Sequence, residues 1–594
     1  MDIRKRWLMP RRGARGPLVA VALVASLWLG SAQALFTVGP TSDGACQFHD
    51  IQSAVTAAQQ SPGPDLIQVS QGTYSHQTTI TVADGSDVTI EGGYENCSSG
   101  NRVDRSTLDA QGASGGPIFV DEGIGALTLL HLILQNANNS SGPGGAISAV
   151  VAGPLTLSDV LVYSNRATYG GGLFISGNSI FRPTVTLIDS SINSNTATSN
   201  GGGLYVTTAD VFIYGATNFL ANLATGTGDS GDGGGIYALD ANIHASGHSL
   251  PTSPFVGFNQ ATRYGGGIYY GATANSLEFF LANDNASLPL NFNGNVANYG
   301  GALFMSSSGT QLLSYADFWN VVFEDNVAND SPAIFITSDA SGGGSVSTEL
   351  RMEQSKPGDA IPMCAPDVGC NSIRNHVRPP ITGDLISLYS SGGAVSALDM
   401  ERGYIRDNIV GQLIFASASY VWIDGSLIAS NNSSSDLIAT PQSTTHIANS
   451  TIANNTVGGP EVVFSPLTPA LVELFNDIAD SPGDSFETIG NGVSLSVRDV
   501  MLTFGTALGS GSGTNVQNGD PQFVDPGNGD FHILFDSEAV DRSAASSDPD
   551  DPAPLYDLDG GSRPHVFNST TTPYDFGAYE YGAIADVLFA NGFD

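Results

Sequence analysis

The chain has 594 residues, with 57 acidic side chains against 20 basic ones and a formal net charge of −37 at pH 7. This charge argues against a nucleic acid or an anionic membrane surface as the partner. Only 13% of the residues are charged and 72 are glycine, which excludes a coiled coil or a helical bundle. A hydrophobic fraction of 41% excludes a wholly disordered chain.

The N-terminal segment has the features of an export leader. Residues 1–15 are basic, residues 17–30 are apolar, and small residues at 32–34 resemble a cleavage site. Because this apolar stretch is too short for a transmembrane helix, we expect residues 1–34 to be a secretory signal peptide. An arginine pair at 11–12 leaves the twin-arginine route as an alternative. No later segment is long and apolar enough for a membrane span, so we expect an extracellular or cell-surface protein of a Gram-negative bacterium.

Four cysteines follow the leader: Cys46, Cys97, Cys364 and Cys370. Their spacing favours two disulfides, Cys46–Cys97 and Cys364–Cys370, formed in an oxidising compartment. A zinc site with a partner such as His376 is the alternative, although the Cys-x2-Cys spacing typical of zinc sites is absent.

Residues 49–58 have apolar side chains at helical spacing and precede the first short strands. An open sheet edge at this end of the chain would pair with other chains unless it is covered. We therefore predict a short capping helix at this point.

A phrase then recurs through the middle of the chain. Asn-x-Ala is followed, after a few residues, by Gly-Gly-(Gly/Ala), Ile or Leu, and Phe or Tyr, at intervals of 26 to 35 residues. Alternating β-branched runs between the copies, such as 185–188, predict three short strands per copy. The sequence therefore predicts an all-β fold, a single-stranded right-handed parallel β-helix of about fifteen coils and ~70 Å.

The repeated residues have structural roles in such a solenoid. Glycines permit positive φ at sharp bends, and one asparagine per coil can bond to the copies above and below it. The predicted asparagine ladder contains Asn165, Asn195, Asn222, Asn259, Asn295 and Asn326.

Each copy also carries one aromatic residue directly after the inward-facing Ile or Leu. Period-two alternation turns these rings outward, where an exposed stripe could bind sugar rings. The alternative is a stripe covered by loops or a stacked core. The candidate glycan-binding residues are Phe174, Tyr205, Tyr237, Tyr269, Phe304 and Phe335.

These phrases resemble those of right-handed β-helix proteins of the pectin-lyase-like superfamily, and Phe292-x-x-Asn295 and Phe323-x-x-Asn326 resemble the repeats of polymorphic outer-membrane proteins. The resemblance covers residues 140–340 best and lacks that family's terminal barrel. From residue 519 onward, an Asp/Pro/Gly-rich series closely resembles the choice-of-anchor Q domain of bacterial surface proteins, which implies a secreted or surface address.

These features divide the chain into five predicted parts. They are a signal peptide (1–34), a cap with the first coils (35–115), the β-helix (116–515), the anchor-like module (516–582) and a C-terminal tail (583–594).

A search for the chemistry of polysaccharide lyases and hydrolases finds no complete motif. The densest mixed-charge cluster, which could face one groove or form a salt-bridged turn, contains Asp399, Glu401, Arg402, Arg406 and Asp407. No cofactor is expected, except that Asp557 and Asp559 could contribute oxygen ligands to calcium; a plain Asp/Gly turn is the alternative.

We therefore predict a non-catalytic, adhesin-like or glycan-binding surface protein whose partner is a polysaccharide or a cell-surface glycan. A lyase or hydrolase acting on acidic polysaccharide, favoured by fold analogy, and a passive spacer are the alternatives. The sequence does not indicate an oligomeric state.

Overall fold

In a computed structural model, the chain forms a parallel β-helix in which successive coils stack through parallel strand pairing. The predicted fold class is thus confirmed. The structure describes residues 34–582 except 76–78, 113–114, 248–253, 275–276, 284–288, 342, 354–370, 378–382, 460–461, 465–469, 481–484, 489–492, 504–506, 509–511, 544–555 and 566–572. Most of the predicted leader, the predicted tail and the Cys364–Cys370 pair lie outside the described residues.

Each full coil contributes one strand to each of three stacks. Stacks 1 and 2 join into one 31-stranded sheet, and stack 3 forms a 15-stranded sheet. Stack 1 contains Ala34–Val38, Asp65–Ser70, Val88–Tyr94, Leu127–Leu130, Leu155–Ser158, Thr184–Ile188, Asp210–Tyr214, Asn242–Ser246, Glu278–Ala282, Gln311–Trp319, Ser345–Glu353, Val395–Glu401, Tyr420–Asp424, Thr444–Ala448, Ala470–Phe475 and Val493–Leu502.

Stack 2 contains Gly72–Ser75, Ser106–Asp109, Leu132–Gln135, Leu161–Tyr163, Ser191–Asn193, Asn218–Leu220, Val256–Gly257, Leu290–Asn293, Val321–Glu324, Ser372–Arg374, Tyr404–Arg406, Leu427–Ala429, Thr451–Ala453, Ile478–Asp480 and Ser512–Asn518. Stack 3 contains Ile80–Val82, Phe119–Asp121, Ile147–Val150, Leu173–Ser176, Leu204–Thr207, Ile236–Leu239, Ile268–Ala272, Leu303–Ser308, Ile334–Asp339, Asp384–Ser391, Gln412–Ser417, Ile438–Ala439, Val462–Phe464, Ser485–Thr488 and Ala507–Leu508.

Shorter elements complete the coils and the ends. Strands of the turn after stack 2 are Asn138–Asn139, Arg166–Ala167, Thr196–Ala197, Leu223–Ala224, Gln260–Ala261, Val296–Tyr299, Val327–Asp330, Ile409–Val410, Asn432–Ser433 and Thr456–Val457. An antiparallel pair, Phe523–Asp525 and Asp530–Ile533, flanks a 3-10 turn at Pro526–Asn528.

Alternation along each strand places apolar residues in one continuous core inside the coils. The glycine phrase closes the coil, because Gly265 has φ +61° and a Cβ on Gly266 would lie 2.4 Å from the carbonyl oxygen of Val296. A side chain at the first position would be strained, and one at the second would clash with the next coil.

The six predicted asparagines lie one above another at the turn after stack 2. Each backbone N–H from Asn165 to Asn295 donates to the side-chain oxygen of the next asparagine, at 2.9 to 3.1 Å. His376 then takes an asparagine's place: its ring lies 3.4 Å from Asn326 Nδ2, and its backbone N–H donates to Asn408. Burial lowers the pKa of His376 to about 4, so the ring is neutral in the ladder.

The N-terminal end is closed as predicted by one α-helix, Ile51–Gln59, whose N-cap Asp50 accepts a hydrogen bond from Ser53. The helix buries its apolar face against the first coils. The predicted Cys46–Cys97 disulfide is confirmed, and it ties this end together.

Described residues of the predicted C-terminal module pack on the outer side of stack 2. Phe531, Leu558 and Tyr579 form a buried cluster with Tyr404 and Leu427 of the β-helix. Inside this segment, the fully buried Arg563 pairs with Glu580 at 2.8 Å. This segment therefore lies along the flank of the last coils.

Candidate functional site

Five consecutive strands of stack 1 carry the most concentrated set of charged and aromatic side chains on its outer side. We name them the face strands: Glu278–Ala282, Gln311–Trp319, Ser345–Glu353, Val395–Glu401 and Tyr420–Asp424. In-register pairing places one residue of each in a single outward row, the central row: Phe280, Asp317, Arg351, Asp399 and Trp422. We call the outward side of these strands the stack 1 face.

Aromatic rings close both ends of the central row. At one end Phe280 meets Trp319 edge-on, with ring centroids 4.9 Å apart. At the other end Trp422 stacks on His446 at 4.3 Å. Because His446 follows Trp422 in the same row, the other face of the indole is directed towards Asp399. The polar middle of the row therefore lies between two aromatic walls.

The middle of the row is half-buried and rich in carboxylates. Asp317 and Asp399 lie one strand away from Arg351, on opposite sides. Arg351 Nε donates to Glu349 Oε1 at 2.6 Å. Burial alone would lower the pKa of Arg351, but this hydrogen bond and the nearby carboxylates outweigh burial and raise it. The guanidinium is thus a fixed positive charge between two carboxyl groups.

The two aspartates of the row differ in environment. Burial, with smaller contributions from Glu349 and Glu278, raises the pKa of Asp317 to about 6, although Arg351 opposes the rise. Burial also raises the pKa of Asp399 well above its usual value, and the charges of Glu349, Glu353 and Glu401 add to this rise. Asp317 is therefore largely ionised above about pH 6, whereas the surroundings of Asp399 favour its protonated form, a division typical of acid and base partners.

The mixed-charge cluster predicted from sequence is divided among four places. Asp399 and Glu401 belong to the stack 1 face. Arg402 is buried in a left-handed turn, Arg406 points outward from stack 2 beside Asp407, and Asp407 occupies the next turn. The five residues do not share a groove. A sharp turn at Arg402 separates Asp399 and Glu401 from Arg406, and a second turn follows at Asp407.

The predicted aromatic stripe faces outward from stack 3 and forms a continuous stack. Neighbouring rings from Phe174 to Phe335 lie 4.8 to 5.5 Å apart and within 15° of parallel. Each interior ring therefore has both faces covered by its neighbours. Burial also raises the pKa of Tyr269 to about 12. Tyr237 and Phe304 are buried, so the stripe does not offer the row of exposed ring faces that a sugar platform requires.

The predicted calcium residues form internal contacts in an Asp/Gly turn. Asp557 accepts from the backbone N–H of Gly561 at 2.6 Å and of Glu580 at 3.1 Å. Asp559 accepts from the ring of His532. In the described part of the chain, one group of three potential metal ligands occurs, Asp43 with Cys46 and Cys97, and its two sulfurs are consumed by the disulfide.

The sequence did not predict that Asp317, Arg351, Trp319 and Trp422 belong to one site. A signal was present in the third face strand, which has nine residues and carries Glu349, Arg351 and Glu353 at alternate positions. It differs in this from strands of the repeat such as Thr184–Ile188, which has no charged side chain.

Comparison with known proteins adds little to this site. No family model matches the chain. A solved structure titled as a PL6 family alginate lyase, AlyGC, is similar over 82% of this chain and 99% of its own, with 9% identity and a TM-score of 0.17. This score is too low to transfer an active site or a substrate to this chain. Among the described residues, no helix has the length and apolarity needed to cross a membrane.

Proposed function

We propose that the protein binds a neutral polysaccharide along the stack 1 face. The observation that carries the proposal is the central row, in which a half-buried Asp-Arg-Asp series lies between the rings of Phe280 and Trp422. Binding sites of this kind combine aromatic surface with a few fixed polar groups. Four strand steps give the row a length of ~19 Å, enough for a short run of sugars along the solenoid axis.

The charge of the stack 1 face favours a neutral polysaccharide over an acidic polysaccharide as the ligand. The outward carboxyl groups of the face strands include Glu278, Asp317, Glu349, Glu353 and Asp399, against one arginine. An acidic polysaccharide would be repelled by these groups and by the net charge of −37. Sugar hydroxyls, by contrast, can donate hydrogen bonds to the carboxylates.

An extracellular or cell-surface address is part of the proposal. The apolar segment at 17–30 and the small residues at 32–34 support export. The Cys46–Cys97 disulfide is typical of proteins that fold in an oxidising compartment. On this basis, the protein would present its stack 1 face to glycans outside the cell.

Trp422→Ala tests the binding face. We expect this variant to bind neutral polysaccharide about 30-fold more weakly, equivalent to ~2 kcal/mol, because it removes an aromatic wall. Affinity electrophoresis followed by calorimetry against xylan, mannan, galactan and glucan measures the change, and thermal unfolding verifies the fold.

Phe212→Ala is the matched control, because Phe212 lies in the same outward row two strands before Phe280. It should bind like the wild type. Equal losses in both variants would contradict the assignment, as would binding restricted to acidic polysaccharide with calcium. If the wild type bound none of these glycans, the binding proposal would be wrong and the role of a passive structural spacer would be favoured.

A further inference from the structure

We propose that the stack 1 face also hydrolyses the neutral polysaccharide that it binds, with inversion at the anomeric carbon, using Asp399 as general acid and Asp317 as general base. This inference rests on the proposed binding function and adds a reaction to it. It departs from the non-catalytic role predicted from the sequence.

The strand register supplies the geometry. Asp317 pairs with Arg351, and Arg351 pairs with Asp399, so the two aspartates lie two strand steps, about 10 Å, apart between Cα atoms. Inverting glycosidases hold their two carboxyl groups ~6.5–9.5 Å apart to leave room for a water, whereas retaining enzymes hold them ~5 Å apart. Two side chains on one outward row project in the same direction, so a spacing of two strand steps is closer to the separation of an inverting pair than to that of a retaining pair.

The aromatic walls supply the position of the substrate. A polysaccharide held between Phe280 and Trp422 lies across Asp317 and Asp399, because all four residues share one row. A glycosidic bond above Arg351 would then have the Asp317 carboxyl group on one side along the row and the Asp399 carboxyl group on the other. Arg351, held by Glu349, lies between the two aspartates in the row and acts as a positioning residue.

The environments of the two aspartates assign their roles. Burial together with the surrounding glutamates raises the pKa of Asp399 well above its usual value, which favours the protonated form that a general acid needs. The pKa of Asp317 is about 6, so it is ionised above that pH and can accept one. Catalysis by this pair would rise with pH through about 6 and fall once Asp399 loses its proton.

The reaction balances with water as the only co-reactant. Water oxygen attacks the anomeric carbon while the Asp317 carboxylate takes one of its protons. Asp399 gives its proton to the glycosidic oxygen, and the bond from the anomeric carbon to that oxygen breaks. The products are a reducing sugar of inverted configuration and a free hydroxyl. Proton exchange with solvent then restores both aspartates.

Release of reducing ends from whichever of xylan, mannan, galactan or glucan binds the full chain tests the inference. Asp317→Asn and Asp399→Asn should each lower the rate at least ~100-fold while each variant still binds the polysaccharide, because the amide oxygen of asparagine still accepts hydrogen bonds; thermal unfolding verifies that each variant is folded. Asp325→Asn is the control, since Asp325 lies in the turn beyond stack 2 of the same coil and its left-handed φ of +54° suits asparagine. NMR of the first product should show the inverted anomer.

The outcomes separate the two proposals. Binding without reducing-end release would overturn hydrolysis and leave the binding function intact. Release that is unchanged in both aspartate variants, or a product of retained configuration, would also overturn the assignment. Absence of binding to every polysaccharide would remove both proposals together.

Discussion

Asn259→Ala is expected to lower the free energy of unfolding by about 4 kcal/mol, because it leaves two buried backbone groups without partners at ~1–3 kcal/mol each. The Asn259 side chain accepts from the backbone N–H of Asn222 at 2.9 Å and donates to the carbonyl of Phe219 at 2.9 Å. It is fully buried, so water cannot replace these bonds. Equilibrium urea unfolding followed by circular dichroism measures the change.

Asn298→Ala provides the matched comparison. Asn298 lies on the exposed side of the following coil, where its side chain donates to Thr262 at 2.9 Å. Its loss should cost less than ~0.5 kcal/mol, as surface substitutions usually do. If the two variants unfolded at the same urea concentration, the ladder would not stabilise the coil as described.

Asp121→Asn is expected to remove about 4 kcal/mol of pH dependence from the unfolding free energy between pH 4 and pH 8. Asp121 points into the core from stack 3, and burial raises its pKa from 3.8 to about 7. Because the folded pKa exceeds the unfolded one, ionisation opposes folding. In the wild type this group therefore costs stability as pH rises from about 4 to 7, and the cost is constant above that.

The variant should therefore be more stable than the wild type at pH 8 and close to it at pH 4. Chemical unfolding at a series of pH values gives both curves. Asp104→Asn, a substitution at an exposed position, should follow the wild-type curve. An Asp121→Asn curve parallel to that of the wild type would show that this carboxyl group does not titrate in the core.

Much of the fold could be predicted because each coil repeats the same physical requirements. The capping helix, predicted at 49–58, spans Ile51–Gln59, and the glycine phrase marks turns that need positive φ or close backbone approach. The aromatic stripe combines features of the two alternatives that the sequence left open, since its rings lie on the outer side of stack 3 and stack on one another. Strands only ~4.8 Å apart bring ring faces into contact, which leaves edges for solvent.

The candidate site could not be predicted in the same way, because its row depends on register across insertions of unequal length. Asp317 precedes Arg351 by 34 residues, whereas Arg351 precedes Asp399 by 48. No repeated phrase marks these positions, so Asp399 was grouped with its chain neighbours Arg402 and Arg406 instead. Strand pairing, which chain distance does not reveal, selects the true neighbours.

The most direct test of the binding face is the affinity of the wild-type chain for neutral oligosaccharides of increasing length, measured by calorimetry. Affinity should rise with length until the sugar chain spans the ~19 Å between Phe280 and Trp422, and then level off. Affinity that is independent of length, or absent at every length, would contradict a polysaccharide site on the stack 1 face.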